Sequence, residues 1–301
     1  MISRHGADLS ERAGALRALR LGRAPAAAVL FSLFAVFVLI GAVVPAGASA
    51  ALGAPTAKAP TGTVPTGTPT FAWSKVSTAT RYELRVYDGS TQVLKKTGLT
   101  KTSWQSTTTL PKSVALTWKV RAANAGGTGA WSASLAFTIA LSIGDAFQGG
   151  KIAYILQPAD PGYVAGQTHG LIAAPADRPA GLQWSNGTNV ATGATGTALG
   201  TGLANSDAIV AAQGAPAAGY AAGWARAYRG GGYSDWYLPS KDELNQLFLN
   251  QAAIGGFGPN YYWSSSEFDA STAWAKAFDL SSPAYAYSKN GASYVRAVRS
   301  F

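Results

Sequence analysis

The chain has 301 residues and no cysteine, which excludes disulfides, thiolate metal sites and a cysteine nucleophile together. Hydrophobic residues make up 48% and charged residues 13%, and 35 glycines with 15 prolines point to a turn-rich β protein rather than a helical enzyme. The formal charge of +10 is unevenly spread: residues 1–50 carry +3, residues 51–140 carry +8 and residues 141–301 carry −1.

The first segment, residues 1–50, has an arginine-rich start, an apolar run from Ala24 to Val44, then Pro45 and the small residues Ala48-Ser-Ala50. This is the pattern of a secretory signal peptide with a cleavage site after small residues. The competing reading is an uncleaved anchor, because about 20 apolar residues suffice to cross a bilayer. Either way the rest of the chain is expected outside the cytoplasmic membrane, secreted or at the cell surface. Any membrane contact then runs through the N-terminal segment alone.

Residues 51–68 are rich in Pro, Thr and Gly and are expected to form an extended linker that merges into an edge strand. From Thr70 onward apolar side chains recur with period 2: Phe71 and Trp73, then Tyr82, Leu84 and Val86, then Trp118 and Val120. Asp88-Gly89 and Asn124-Ala-Gly-Gly-Thr-Gly129 supply hairpin turns. About seven short strands over residues 60–140 describe a two-sheet β-sandwich. The spacing Phe71-x-Trp73, Tyr82-x-Leu-x-Val86, Trp118-x-Val120-x-Ala122-x-Asn124 and Trp131-Ser132 resembles a bacterial fibronectin type III domain. Such domains act as spacers and contact modules. The ten bases of this segment offer an anion-binding face, with solvation and protection of strand edges as the alternative reading.

After Ala140 the composition shifts to Gly, Ala and aromatics. Gly144 and Gly149 have the spacing of a phosphate loop, but Gly150-Lys151-Ile152 replaces the required Gly-Lys-Ser/Thr, so that reading fails. Strands are expected at 151–156, 169–174, 261–266, 273–278 and 294–301. Helices are expected at 206–213, with Ser206 as cap, and at 216–228, where Tyr220, Trp224 and Tyr228 line one stripe. The most decodable stretch runs from Gly230 to Leu249. Ser240 followed by Glu243 is a capping box, and Leu244, Leu247 and Phe248 form the apolar face of the helix it opens.

Residues 141–301 resemble the C-terminal domain family of the collagen-like adhesin Lcl. The motifs are Ile143-Gly-Asp145, His169-Gly-Leu-Ile-Ala-Ala174, Gly181-Leu-Gln-Trp184, Asp235-Trp-Tyr-Leu-Pro-Ser-Lys-Asp-Glu-Leu244, Tyr262-Trp-Ser-Ser-Ser-Glu267 and Tyr294-Val-Arg-Ala-Val-Arg299. This family is similar in pattern to α+β domains of the C-type-lectin fold, including the formylglycine-generating enzymes. The likeness implies that strand 151–156 pairs with the terminal strand. It also implies adhesion to an extracellular glycan, sulfated glycosaminoglycans included, or to a surface protein.

Formylglycine chemistry needs paired cysteines and is excluded. A hydrolase would rest on His169, the one histidine beyond the N-terminal segment, which reads better as structural. Glu-Pro-Asn and Trp-Asn-Asp motifs for calcium-bound sugar are absent. The sequence therefore describes a multidomain binding protein, not an enzyme, with no metal, cofactor or nucleic acid. The alternative is a structural or assembly module that forms a homo-oligomer. Candidate ligand residues are Tyr285, Tyr287 and Lys289, expected on an exposed loop where rings stack on sugar and the ammonium meets an anionic group. Trp236, Lys241 and Glu267 come from the family-like motifs, beside Asp242, Glu243 and Arg296. Of these, Glu243 already has a capping role, and Trp236 is expected to pack.

Overall fold

The computed structural model describes residues 52–214, 217–279 and 283–301; the expected signal peptide at 1–50 lies outside them. Where a linker was expected, β1 (Ala57–Ala59) and β2 (Gly62–Val64) already belong to sheets. They are followed by β3 (Thr70–Trp73), β4 (Arg81–Asp88), β5 (Thr91–Leu99), β6 (Ser103–Gln105), β7 (Ala115–Asn124), β8 (Gly127–Trp131) and β9 (Leu135–Ile139). One sheet has the order β1-β3-β6. The other runs β2-β9-β7-β4-β5, with β8 paired to β7. β1 and β2 are edge strands, as the merging of the linker into an edge strand implied, but they begin earlier than expected, and β2 joins in parallel with β9, a long-range partner with no local signature.

Period-2 alternation sends Tyr82, Leu84 and Val86 of β4 and Trp118 and Val120 of β7 inward. There they meet Phe71 and Phe137, and Phe71 packs edge-on to Trp118 with ring centres 5.1 Å apart. Trp118 pays for its buried indole N–H by donating to the Pro60 carbonyl at 3.0 Å. At the exit from the sandwich, Lys112 bonds both carboxylate oxygens of Asp145, at 2.8 and 2.7 Å.

The C-terminal module combines helices with two small antiparallel sheets. In chain order its elements are β10 (Ala146–Phe147), β11 (Gly150–Ile155), β12 (Gly170–Ala173), α1 (Gly202–Gln213), α2 (Ala221–Ala227), α3 (Lys241–Leu249), α4 (Gln251–Ile254), β13 (Tyr261–Glu267), β14 (Thr272–Ala277), β15 (Tyr285–Ser288) and β16 (Val298–Ser300). The sheets run β10-β11-β12-β16 and β13-β14-β15. The expected pairing of strand 151–156 with the terminal strand is therefore corrected. β12 stands between them, bonded to β11 on one side and to β16 on the other. The whole of β12 is buried, as suits a strand flanked on both edges.

Two helix expectations also change. α1 starts at Gly202, so Ser206 is interior rather than capping; its hydroxyl donates to the Gly202 carbonyl at 2.8 Å and accepts from the Leu238 amide at 3.0 Å. α2 covers only the second half of the aromatic stripe, with Tyr220 as its N-cap. Tyr220 is fully buried, while Trp224 and Tyr228 pack at the edge of the core, Tyr228 edge-on to Trp236 at 5.0 Å. The glycines before α3 serve close approach. A Cβ on Gly149, which has φ +84°, would lie 2.5 Å from the Gly231 Cα, so the turn before β11 presses directly on the glycine turn at 230–232.

α3 is capped as expected. Ser240 Oγ accepts from the Glu243 amide at 3.3 Å, and the Glu243 carboxylate accepts from the Ser240 amide at 2.8 Å. Leu244 and Leu247 are buried, whereas Leu249 at the helix end stays 63% exposed.

Candidate functional site

The sheet β13-β14-β15 carries the strongest candidate surface. Its register aligns Tyr261 with Ala277, Trp263 with Ala275, Ala275 with Tyr285 and Ala273 with Tyr287. Alternation puts all of these on one face. The central strand offers only alanines there, so the rings from the two outer strands lean over it and meet. Tyr261 lies 5.2 Å from Tyr285, edge-on, and 6.3 Å from Tyr287, nearly parallel. Tyr285 and Tyr287 are 5.9 Å apart, and Tyr287 contacts Trp263 at 5.4 Å. Tyr261 is 45% exposed, and Tyr285 and Tyr287 are half-buried at the rim of the core. Burial, with the neighbouring phenols, pushes the Tyr285 hydroxyl well above its usual range, so it stays a neutral donor.

Lys289 does not belong to this surface, contrary to expectation. It is wholly buried, with Nζ 2.5 Å from Glu267 Oε1 and donating to the carbonyls of Val190 (2.9 Å) and Ala270 (3.0 Å). The ammonium also sits 4.6 Å from the Trp184 ring centre. Glu267 accepts in turn from the amides of Thr192 (2.8 and 3.0 Å) and Gly193 (3.0 Å). The pair is a staple that holds the long 185–201 loop onto the sheet. The expected exposed loop is corrected: Tyr285 and Tyr287 lie on strand β15, half-buried, and the chain leaving that strand carries Lys289 into the core.

The remaining candidates are dispersed. Trp236 is fully buried and donates its indole N–H to the Gly230 carbonyl at 3.1 Å. Lys241 places its ammonium 4.3 Å from the Trp274 ring, whose edge meets the 55% exposed Phe268. Arg296 is buried with Asp177 at 2.6 Å and with the carbonyls of Ala174, Gly255 and Gly256, lying 3.8 Å over the Phe257 ring. Asp242 is exposed on α3.

Glu243 is wholly buried beneath the Gly200 turn, accepting from the Gly200 amide at 2.8 Å and from the Tyr237 hydroxyl at 3.3 Å. Its burial pushes its carboxyl up, against the pull of the Ser240 and Gly200 amides and the Tyr237 hydroxyl. Tyr237 also shares a 3.0 Å hydrogen bond with Ser300. Ser300 lines a cleft of about 240 Å³ with Leu156, His169, Leu171, Leu199 and Phe301. His169 spends one ring nitrogen on the Phe301 carbonyl (3.1 Å) and the other on the Gln167 side chain (2.8 Å). Ser300 bonds to Tyr237, and the two ring nitrogens of His169 bond elsewhere.

The motif residues Ser264, Ser265 and Ser266 have a structural task that the sequence reading did not assign. They form a bulge in β13, where the register jumps between Trp263 and Glu267. Ser264 Oγ donates to the Trp274 carbonyl at 2.8 Å. Ser266 Oγ donates to the Gly196 carbonyl at 2.6 Å and accepts from the Lys241 amide at 2.9 Å. The bulge thus joins the sheet, the long loop and the start of α3. Tyr261 was missed as a candidate. Alternation puts it on one face with Trp263, but only the register of the sheet shows that Tyr285 and Tyr287 share that face.

Residues 174–299 match the family model described as the Lcl C-terminal domain. Among solved structures the chain is similar to a Fn3-like protein from Clostridium thermocellum, at 16% identity and TM-score 0.24, covering 29% of this chain and 90% of that one. It is also similar to FN3tt, at 20% identity and TM-score 0.23, covering 29% and 95% of the two chains. The FN1–FN3 domains of chicken CNTN1 show 21% identity and TM-score 0.23 over 29% of this chain and 35% of theirs. The comparison with curated proteins found no match.

Proposed function

We propose that the protein is a non-enzymatic adhesin of the cell exterior whose C-terminal module, C-type-lectin-like in arrangement, holds an extracellular glycan against Tyr261, Tyr285 and Tyr287. The observation that carries this reading is the tyrosine platform. Three phenols meet above a strand of alanines, and the outermost is 45% exposed. Aromatic faces take up the C–H face of a sugar ring, and phenolic hydroxyls supply the polar contacts that fix its orientation. The match of residues 174–299 to the Lcl C-terminal domain supports the adhesive role. The β-sandwich, in this reading, is the spacer that presents the module. With ten acids against nine bases, residues 141–301 do not select a sulfated glycan by charge, so sulfated glycosaminoglycans enter as one class among those to be tested.

A glycan array probed with the protein, in calcium and in chelator, tests the reading. Binding is expected to survive chelation and to weaken about tenfold for each of Tyr261→Ala and Tyr287→Ala, the order of one stacking contact. Silence on every glycan, or binding that ignores both substitutions, would overturn it.

A second reading, an assembly module, is favoured by the exposure of Leu249 (63%) and Phe268 (55%). It predicts self-association, seen in sedimentation velocity as a mass that rises with concentration and falls on Phe268→Ser.

A further inference from the structure

The outer face of the larger sandwich sheet is built differently from an ordinary solvated surface. The β4/β7 register places Glu83 opposite Arg121 and Arg85 opposite Lys119, and the β4/β5 register puts Lys95 beside Arg85. Three cations, Lys95, Arg85 and Lys119, therefore stand in one row across three neighbouring strands, each about 5 Å from the next. Like charges directly opposite one another disfavour a sheet. A face that needed only solvation would alternate its signs.

One carboxylate serves three cations here, so charge is left over on the face. Glu83 is mostly buried, 2.7 Å from Arg85, 2.5 Å from Arg121 and 4.0 Å from Lys95, and it holds both guanidinium groups in place. Trp131 of β8, opposite Arg121, has three cations near its ring: Arg121 at 4.6 Å, Arg85 at 4.9 Å and Lys119 at 5.2 Å. Lys119 also lies 5.2 Å from the Tyr87 ring, so its ammonium sits between two aromatic walls. Among the described residues it has no carboxylate within ion-pair distance.

We propose that this face, centred on Lys95, Arg85, Lys119 and Trp131, binds a linear anionic polysaccharide. The row of cations meets regularly spaced charges on the polymer, and Trp131 and Tyr87 supply ring faces for the sugars between them. The row runs across three strands in register, which suits an extended chain rather than a compact ligand. The choice of polysaccharide over other polyanions rests on the reading of the protein as a glycan-binding adhesin. The surface itself lies on the sandwich and uses none of the module's tyrosines.

Binding of the full chain to immobilised polygalacturonate, dextran sulfate and neutral dextran, at low and at physiological salt, tests this. The anionic polymers should bind and neutral dextran should not, and binding should weaken as salt screens the row. Lys95→Gln with Lys119→Gln should weaken it about tenfold or more, whereas Lys95→Arg with Lys119→Arg should preserve it. A circular-dichroism melt confirms that both double variants are folded. Polygalacturonate and dextran sulfate separate a carboxylate ligand from a sulfate ligand. The glutamine double variant should keep the parent's binding to neutral glycans on the array, so failure here and failure of the module's glycan reading are told apart. Equal binding by the glutamine variant, or equal binding of neutral dextran, would overturn the proposal. So would duplex DNA competing as well as either anionic polysaccharide.

Discussion

Glu243 performs two tasks that pull in opposite directions. As the third residue of a helix it caps the Ser240 amide, and it also satisfies the Gly200 amide, all from a fully buried position. The hydrogen bonds favour its anion, but burial does more to favour the neutral acid, and the carboxyl is raised. A glutamine keeps one acceptor oxygen but turns its NH2 towards the other backbone amide, since the Gly200 amide uses one carboxylate oxygen and the Ser240 amide the other. Glu243→Gln is therefore expected to relieve the buried charge yet leave one amide unpaired, for a net cost of about 1 kcal/mol near neutral pH. Glu243→Ala strands two buried amides and should cost about 2 kcal/mol or more. Chemical denaturation of the two variants checks this; equal losses would show that the charge itself is required.

Among the elements, β13 and the 185–201 loop depend on each other through Glu267 and Lys289. Removing one partner of a buried ion pair typically costs about 3–5 kcal/mol, because the other charge is left without compensation. Lys289→Met should therefore destabilise the module strongly, and adding Glu267→Gln should recover part of the loss. A denaturation cycle over the four proteins measures this, and additive losses would deny the staple. The same elements show what was legible beforehand. Alternation in β4 and β7 and the cap of α3 are local patterns, and the structure contains both as read. The burial of Lys289 was not legible, because its carboxylate partner reaches it only through the serine bulge, and bulges leave no periodic trace. The tyrosine platform was half legible. Tyr285 and Tyr287 were named, while Tyr261 needed the strand register to join them.

Across the whole molecule, acid should loosen both halves. Burial raises Glu83, but hydrogen bonds and charge from Arg121 and Arg85 outweigh it, leaving the carboxyl below its usual value. In the module, Arg299 draws Asp235 down, and the backbone amide of Ser271 leads the contacts that hold Asp269 at about 2. A carboxylate depressed in the folded state contributes stability that is complete above its unfolded value, near 4. That contribution is lost as pH falls through the folded value. Glu243, raised instead, opposes this, since protonation favours the folded state. The melting temperature is expected to hold from pH 7 to about 5 and to fall between about pH 4.5 and 2. A flat profile down to pH 2 would contradict these assignments. The pairing of β12 with β16 bears on a different matter, the order of events during synthesis. β12 sits in the middle of its sheet, yet one of its two neighbours comes from residues 298–300, far along the chain. Contacts so distant in sequence form slowly, and this one cannot form until residues 298–300 have been made. The sandwich closes on strands within residues 57–139 and is free to fold earlier on the ribosome, whereas the module waits. Removing residues 298–301 should leave the sandwich resistant to protease while the module is digested.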